Sequence, residues 1–190
     1  MKLNRTLAAL AAAGFFAATS AHAGLDGKTI TLRYDASGHP TTFDSLTVGN
    51  GVEVTCPGSA NVCALLTAPT QTIDFSDLAI TYKYVGNGNG FNSLAVNGFS
   101  FLDLNLGPGL AIGNVLVDTN IFSLETRVSF TANSVKVSMS DLAVTGPTSG
   151  FTLTLVAAPV PEPAAWALML AGFAGVCAIA ARKRTGASPV

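Results

Sequence analysis

The stretch TITLRY at residues 29–34 decides the fold class that we predict for this chain. Apolar and polar side chains alternate through it, which places Ile30, Leu32 and Tyr34 on one face of an extended strand. The same two-residue period recurs in four later stretches: 79–85, 128–132, 135–139 and 151–155. Residues 24–160 contain no stretch in which apolar residues follow the helical spacing i, i+3, i+4, i+7. We therefore expect an all-β domain with roughly nine to eleven strands.

Turn signals separate these stretches. Asn-Gly pairs tolerate the positive φ angles of two-residue hairpin turns, and they occur at four places: 50–51, 87–88, 89–90 and 97–98. Further chain breakers are present at 107–109 and at 146–147. Short strands with frequent turns are typical of sandwiches and barrels. We predict an antiparallel β-sandwich of jelly-roll-like topology over residues 24–158.

Charge is scarce in this chain and unevenly distributed. Only 11% of the 190 residues are charged, against roughly 25% in an ordinary soluble domain, and the formal net charge is −1. Half of the ten Lys and Arg residues lie near the two ends, which leaves the middle acidic. A nucleic-acid-binding protein should show a basic face, so we expect no nucleic-acid partner.

The N-terminal residues have the three-part pattern of a secretory signal peptide. Lys2 and Arg5 precede an uncharged apolar run at 7–18, and Ala21 and Ala23 supply the small residues that signal peptidase requires. We expect residues 1–23 to be removed on export. The alternative is a first membrane helix, but the run is shorter than the roughly 20 residues that span a bilayer.

The C-terminal residues predict a single membrane helix. Residues 164–181 carry no charge, and a helix of that length is about 27 Å long, enough to cross a hydrocarbon core. Arg182, Lys183 and Arg184 follow at once and should remain on the cytoplasmic side. The preceding β domain would then lie outside the membrane.

Pro161, Glu162 and Pro163 directly precede this apolar segment, and two prolines around one residue hold the chain extended. A Pro-Glu-Pro triplet, a short apolar helix and a basic cluster, in this order, resemble the PEP-CTERM sorting signal. The same tail also has the label "ice-binding protein C-terminal domain", which implies no ice-binding activity. A plain single-pass anchor with a proline-rich stalk is the alternative.

The resemblance implies a processing enzyme and a destination. PEP-CTERM proteins occur in Gram-negative bacteria that make exopolysaccharide, and the membrane enzyme exosortase handles them. We therefore expect signal peptidase and exosortase as processing partners and exopolysaccharide as a further partner. The precursor would be anchored in the inner membrane through residues 164–181, and the processed chain would reach the cell surface or extracellular matrix.

Cys56 and Cys63 are the only cysteines of the expected exported domain. An oxidising compartment favours a disulfide between them. A metal-binding or redox pair is the alternative, but CxxC spacing is absent and no histidine lies near. Cys177 falls in the predicted membrane helix, where we expect an inert, buried thiol.

Oxygen-bearing side chains near predicted turns leave calcium binding open as an alternative. Asp74 and Asp77 lie close together, Asp103 follows a predicted strand, and residues 86–90 read GNGNG. Their spacing matches no EF-hand loop, so we predict no metal site and no cofactor.

A secreted hydrolase would need two carboxylates or a serine and a histidine in one cleft. His39 is the only histidine beyond the predicted cleavage site, and the sequence contains no Gly-x-Ser-x-Gly motif. We therefore predict no catalytic residues and no enzymatic activity.

Phenylalanines and threonines could also form binding surfaces. We assign five phenylalanines to the core rather than to a sugar platform: Phe91, Phe99, Phe101, Phe122 and Phe130. Ice binding needs a flat, regular threonine array, whereas the sequence offers two isolated pairs, Thr29 with Thr31 and Thr152 with Thr154.

These observations together predict a secreted, structural or adhesive β protein that is sorted through its tail. The alternative is a carbohydrate- or calcium-binding sandwich module held by a plain single-pass anchor.

Overall fold

A computed structural model describes residues 23–67, 70–86, 91, 94–144, 148–160 and 169–174 of the chain. Ten strands fall within these ranges: β1 (Thr29–Ala36), β2 (Thr42–Thr47), β3 (Val54–Cys56), β4 (Gln71–Ser76), β5 (Ala79–Val85), β6 (Asn97–Leu102), β7 (Leu110–Thr119), β8 (Val128–Thr131), β9 (Ser134–Ser138) and β10 (Thr148–Pro159). Two short 3-10 helices accompany them, Asn61–Ala64 and Leu124–Arg127.

The strands form two five-stranded antiparallel sheets. The first has the order β2-β1-β6-β9-β8, and the second has the order β3-β4-β5-β10-β7. Every strand pairing is antiparallel. The predictions of an all-β, antiparallel domain and of its approximate strand number are therefore confirmed.

The core lies between the two sheets. Ile30, Leu32 and Tyr34 point into it from β1, as the alternation predicts. Side chains of the two sheets meet directly, since Phe75 of β4 packs edge-on against Phe101 of β6 with ring centroids 5.8 Å apart. This face-to-face packing is sandwich-like.

Three of the five phenylalanines assigned to the core are found there. Phe99 and Phe101 are fully buried, and Phe91 packs against the core while partly exposed. The assignment is wrong for Phe122, which is 89% exposed, and Phe130 also remains exposed. Phe122 lies in the connection after β7 and Phe130 on the edge strand β8, so neither is enclosed by both sheets.

The turn predicted at residues 97–98 is wrong, because Asn97 and Gly98 begin β6. The Tyr34 hydroxyl donates a hydrogen bond to the buried Asn97 side chain. A Cβ at position 98 would lie only 2.1 Å from the Val137 carbonyl oxygen of β9. Close packing of neighbouring strands thus requires this glycine in a strand rather than in a turn.

The other turn signals have different outcomes. The predicted breaker at 107–109 is confirmed, since it connects β6 to β7 and both of its glycines have positive φ. Residues 50–51 lie in the longer connection between β2 and β3 rather than in a two-residue hairpin. The predicted turns at 87–90 and 146–147 lie outside the described residues.

Strand directions give the domain two different ends. The connections 77–78, 103–109 and 132–133 lie at one end, which we call the proximal pole. The connections 37–41 and 57–70 lie at the opposite end, which we call the distal pole. Loops at one end of a sandwich are common places for binding sites.

Candidate functional site

One loop at the proximal pole holds both ends of the β domain. The Gly24 amide donates a hydrogen bond to the Leu106 carbonyl at 3.1 Å, and the Val160 amide donates one to the Gly109 carbonyl at 2.8 Å. Both acceptors belong to the connection between β6 and β7. The C-terminal tail therefore leaves the domain beside the residue that follows the predicted signal cleavage site.

The tail itself is described only at residues 169–174, which are helical and exposed. Among the described residues, no helix has the length and apolar character needed to span a bilayer. The other residues to which the sequence assigns a role at the two ends lie outside the described residues: Ala21 of the signal, Pro161, Glu162, Pro163, Cys177, Arg182, Lys183 and Arg184.

A disulfide joins Cys56 to Cys63 at the distal pole, as predicted, with Cα atoms 5.2 Å apart. The bond closes the chain between β3 and the first 3-10 helix into a compact loop. We call residues 57–64 the disulfide loop. Both cysteines are buried against the core.

Asp44 of β2 holds the disulfide loop in place. One carboxylate oxygen accepts a hydrogen bond from the Asn61 amide at 2.8 Å, and the other accepts one from the Val62 amide at 2.9 Å. The Asn61 side chain donates back to the Phe43 carbonyl at 3.1 Å. These contacts satisfy the first amides of the 3-10 helix and fix its position beside β2.

A cleft of about 510 Å³ separates β2 from the disulfide loop. Thr41, Thr42 and Phe43 form one wall, and residues 58–61 with Cys63 and Ala64 form the other. Phe43 is 61% exposed there. The volume of the cleft lies within the roughly 300–1,000 Å³ that small-molecule sites occupy. We call this cleft the Phe43 cleft.

Sequence reasoning missed the Phe43 cleft. The only local signal is the position of Phe43 in TFDSLT, where it alternates in phase with the exposed Ser45 and Thr47. A large aromatic on the polar face of a strand is a reason to suspect binding. The opposite wall is about 18 residues away in sequence, so only the tertiary fold brings it close.

The structure also places the carboxylates considered for calcium or hydrolysis. Asp74 belongs to β4 and Asp77 to the turn after it, whereas Asp103 follows β6 in the other sheet and accepts a hydrogen bond from Thr31 at 2.8 Å. Within the described part of the chain, no group of three or more His, Cys, Asp or Glu residues could hold a metal ion.

His39 lies in the connection between β1 and β2. It lines a second distal cleft of about 330 Å³, together with Tyr34, Thr67 and Asn97. Its backbone amide donates to the Ala36 carbonyl at 3.1 Å. The lining of this second cleft includes no Asp or Glu from the described residues.

The threonine pairs occupy the outer faces of the two sheets. Thr152 of β10 lies opposite Thr81 of β5, and their hydroxyl oxygens are 3.3 Å apart. These two threonines belong to a row of paired residues across the second sheet. Asp74 of β4 lies opposite Thr81, and Asp118 of β7 lies opposite Thr152. Two carboxylates therefore flank the threonines in this row.

Burial raises the pKa of two core tyrosines far above its usual value. Desolvation is the main cause for both Tyr34 and Tyr82, and the neighbouring tyrosines add to the effect at Tyr82. Tyr82 donates a hydrogen bond of 2.8 Å to the buried Gln71 side chain. These hydroxyls stabilise the core as neutral donors.

Comparison with known proteins gives one finding. No curated protein and no solved structure matches the chain. A family described as "PEP-CTERM protein-sorting motif" matches residues 159–184. The match begins at the last residue of β10, where the tail leaves the proximal pole. The chain therefore carries the tail of a PEP-CTERM sorting-domain protein.

Proposed function

We propose that this is a secreted, non-enzymatic surface or matrix protein that exosortase processes at its PEP-CTERM tail. The match at residues 159–184 carries this proposal. Its structural or adhesive role would be exercised by the β domain, outside the inner membrane and in contact with exopolysaccharide. Signal peptidase would remove residues 1–23 before exosortase acts.

The geometry at the proximal pole is compatible with cleavage at the triplet. β10 ends at Pro159, and Val160 is still hydrogen-bonded to Gly109. The Pro-Glu-Pro triplet begins one residue later. Cleavage at the triplet would therefore leave the described strands complete, since the last of them ends at position 159.

The test replaces Pro161, Glu162 and Pro163 with alanines in the native host. We expect the wild-type chain to end near residue 160 and the variant to remain full-length in the inner membrane, as mass spectrometry of each fraction would show. If intact wild-type chain carrying residues 164–190 predominates in a host with exosortase, a plain anchor replaces the sorting proposal.

A second variant separates sorting from membrane orientation. Replacing Arg182, Lys183 and Arg184 with serines removes the positive charges expected on the cytoplasmic side. We expect this chain to be misoriented or lost from the membrane before processing. Equal processing of the wild type and this variant would contradict a role for the basic cluster.

The export step has its own test. Ala23→Phe places a large side chain where signal peptidase takes a small one, so we expect the precursor to accumulate uncleaved. Ala12→Phe, within the apolar run, is the matched control and should be cleaved normally. Recovery of Met1 on exported wild-type protein would contradict the signal-peptide prediction.

A further inference from the structure

We propose that two copies of this chain pair antiparallel through β7, so that their second sheets join into one continuous sheet about a two-fold axis. The inference goes beyond the proposed function and does not depend on processing of the tail. It rests on three observations: the length of the β7 edge, the unpaired backbone groups along it and the exposed apolar side chains beside it.

β7 is the longest edge strand among the described residues. It has ten residues, whereas the other edge strands β2, β3 and β8 have six, three and four. The disulfide loop also covers the start of β2, because the Asn61 side chain donates a hydrogen bond to the Phe43 carbonyl at 3.1 Å. Short or covered edge strands prevent pairing between chains, so β7 is the edge most open to a second chain.

The proximal half of β7 is already engaged within the domain. The Ile112 amide donates a hydrogen bond to the Ala132 carbonyl at 2.8 Å, and a bulge then interrupts the pairing of β7 with β10. The Val115 amide is satisfied locally by the Asn114 side chain at 2.9 Å. A second chain must therefore contact the distal half of the strand, residues 115–119.

Every second residue of this distal half directs its backbone groups away from the domain. The Leu155 amide of β10 donates to the Leu78 carbonyl at 2.7 Å, on the side away from β7. Leu155 therefore has no ladder bond to Val115, its partner on β7, and the alternation of an antiparallel ladder extends this to Val117 and Thr119. No described residue outside β7 accepts a hydrogen bond from the amides of these three residues. Such an edge is a template for a further strand.

A second copy of β7 fits this template in a register centred on Val117. About a two-fold axis, Val117 lies opposite Val117 of the second copy, and Val115 lies opposite its Thr119. All of these pairs bring outward-facing backbone groups together. Val117 would exchange two hydrogen bonds with its copy, as in any hydrogen-bonded antiparallel pair. The edge is therefore self-complementary, as a two-fold interface requires.

The charge pattern of β7 is compatible with this register. Asp118 is the only charged residue of the strand. In the two-fold pair it lies opposite Leu116 of the second copy, so that no carboxylate directly faces another. Like charges directly opposite each other would destabilise the pairing. β7 also contains neither Lys nor Pro, two residues with which proteins block the pairing of edge strands.

Apolar side chains beside this edge are exposed in the single chain. Leu116 is 56% exposed, and Phe122, just after the end of β7, is 89% exposed. Phe130 is also exposed, and it lies on β8, two residues before the Ala132 carbonyl that bonds to β7. In the two-fold pair, Leu116 and its copy become diagonal neighbours within reach of each other. Burial of apolar side chains at the contact would add to its backbone hydrogen bonds.

The test measures the mass of the chain purified from its native host, by sedimentation equilibrium over a range of micromolar concentrations. Pairing of one strand buries a small area, so we expect a reversible dimer whose fraction rises with concentration. Leu116→Asp places a carboxylate opposite Asp118 in both symmetry-related pairs and should weaken the dimer at least about tenfold. Leu116→Lys, the matched variant at the same exposed position, places an ammonium there and should retain the dimer.

Val117→Pro tests the backbone hydrogen bonds of the contact. Proline removes the amide at the centre of the register, and the single chain loses no hydrogen bond that the described residues show. We expect a monomer at concentrations at which the wild type is dimeric. Val52→Asp is the control, because Val52 is also an exposed apolar residue but lies between β2 and β3. It should dimerise like the wild type.

Thermal unfolding separates loss of pairing from loss of folding. Leu116→Asp and Leu116→Lys should unfold at similar temperatures when both are monomeric, so that a difference in mass reports the contact alone. A wild-type chain that stays monomeric would leave the edge to a partner other than a second copy and would overturn the proposal. Equal dimerisation of the two Leu116 variants, or unchanged dimerisation of Val117→Pro, would overturn it as well, because association through another surface, such as the apolar tail, predicts these results.

Discussion

The phenol of Tyr82 donates a hydrogen bond of 2.8 Å to the side-chain carbonyl of Gln71 in the interior of the second sheet. Tyr82 belongs to β5 and Gln71 to the adjacent strand β4. Neither side chain is appreciably exposed. Because water cannot replace either partner, this hydrogen bond should contribute measurably to the free energy of unfolding of the domain.

Tyr82→Phe should lower the free energy of unfolding by about 1–3 kcal/mol, since it leaves the buried Gln71 carbonyl without its donor. Tyr84→Phe is the matched control. The Tyr84 hydroxyl is buried and has no hydrogen-bond partner among the described residues, so its removal should change stability little or increase it. Urea denaturation of the exported protein measures both, and equal losses would contradict the assignment.

Alkaline pH should destabilise the domain through Tyr34 and Tyr82. Their folded-state pKa values are raised by burial, so their contribution to stability is fully present below the unfolded value of about 10 and decreases as pH rises above it. Tyrosinate absorbance from these two residues should appear only as circular dichroism reports unfolding. Their ionisation near pH 10 in a chain that is still folded would contradict this.

Gly98→Ala should destabilise the domain by about 1–3 kcal/mol, the usual range for overpacking. The added Cβ would lie 2.1 Å from the Val137 carbonyl oxygen, and both atoms belong to paired strands that cannot separate without cost. Gly51→Ala is the control, because its Cβ would meet nothing within 4 Å. Thermal unfolding should separate the two variants clearly.

Asp44→Ala should cost about 0.5–2 kcal/mol, as does the loss of a helix-capping side chain. It removes both acceptors that hold the disulfide loop against β2. Asp26→Ala, at an exposed position before β1, should leave stability unchanged. Chemical denaturation of both variants provides the measurement, and equal stability of Asp44→Ala and Asp26→Ala would contradict the role of Asp44.

Replacing Cys56 and Cys63 together by serine should destabilise the domain by roughly 2.5 kcal/mol, the chain-entropy value for a loop of this size. The effect should match that of reducing the wild-type protein, because the same constraint is lost. Mass mapping without reductant should recover the two cysteines in one bridged peptide. Two free thiols in exported protein would contradict the bond.

The alternation of apolar residues was sufficient to predict which side chains of β1 face the core. It works because Ile30, Leu32 and Tyr34 lie in a strand with one buried face, where the period of two is imposed by the sheet itself. The Asn-Gly rule failed at residues 97–98 because it describes local turn chemistry. Pairing of β6 with β1 and β9 overrides that preference.

The short hairpins that the structure does contain also show that local turn chemistry is not sufficient to locate turns. β4 and β5 are joined through Asp77 and Leu78, and β8 and β9 through Ala132 and Asn133. Neither pair is Asn-Gly, so the turn signal alone could not locate them. The Phe43 cleft was even harder to predict from the sequence, because it lies between β2 and a loop that follows a different strand, β3.

The position of both ends of the β domain, Gly24 and Val160, at the proximal pole determines how the domain would carry a mechanical load. A pull between Val160 and a partner held at the distal pole would run nearly parallel to the strands, which extend from one pole to the other. β10 lies between β5 and β7 in its sheet, so its ladders on both sides would be loaded in shear. Many hydrogen bonds would then have to break together, whereas a pull across the strands would open them one at a time.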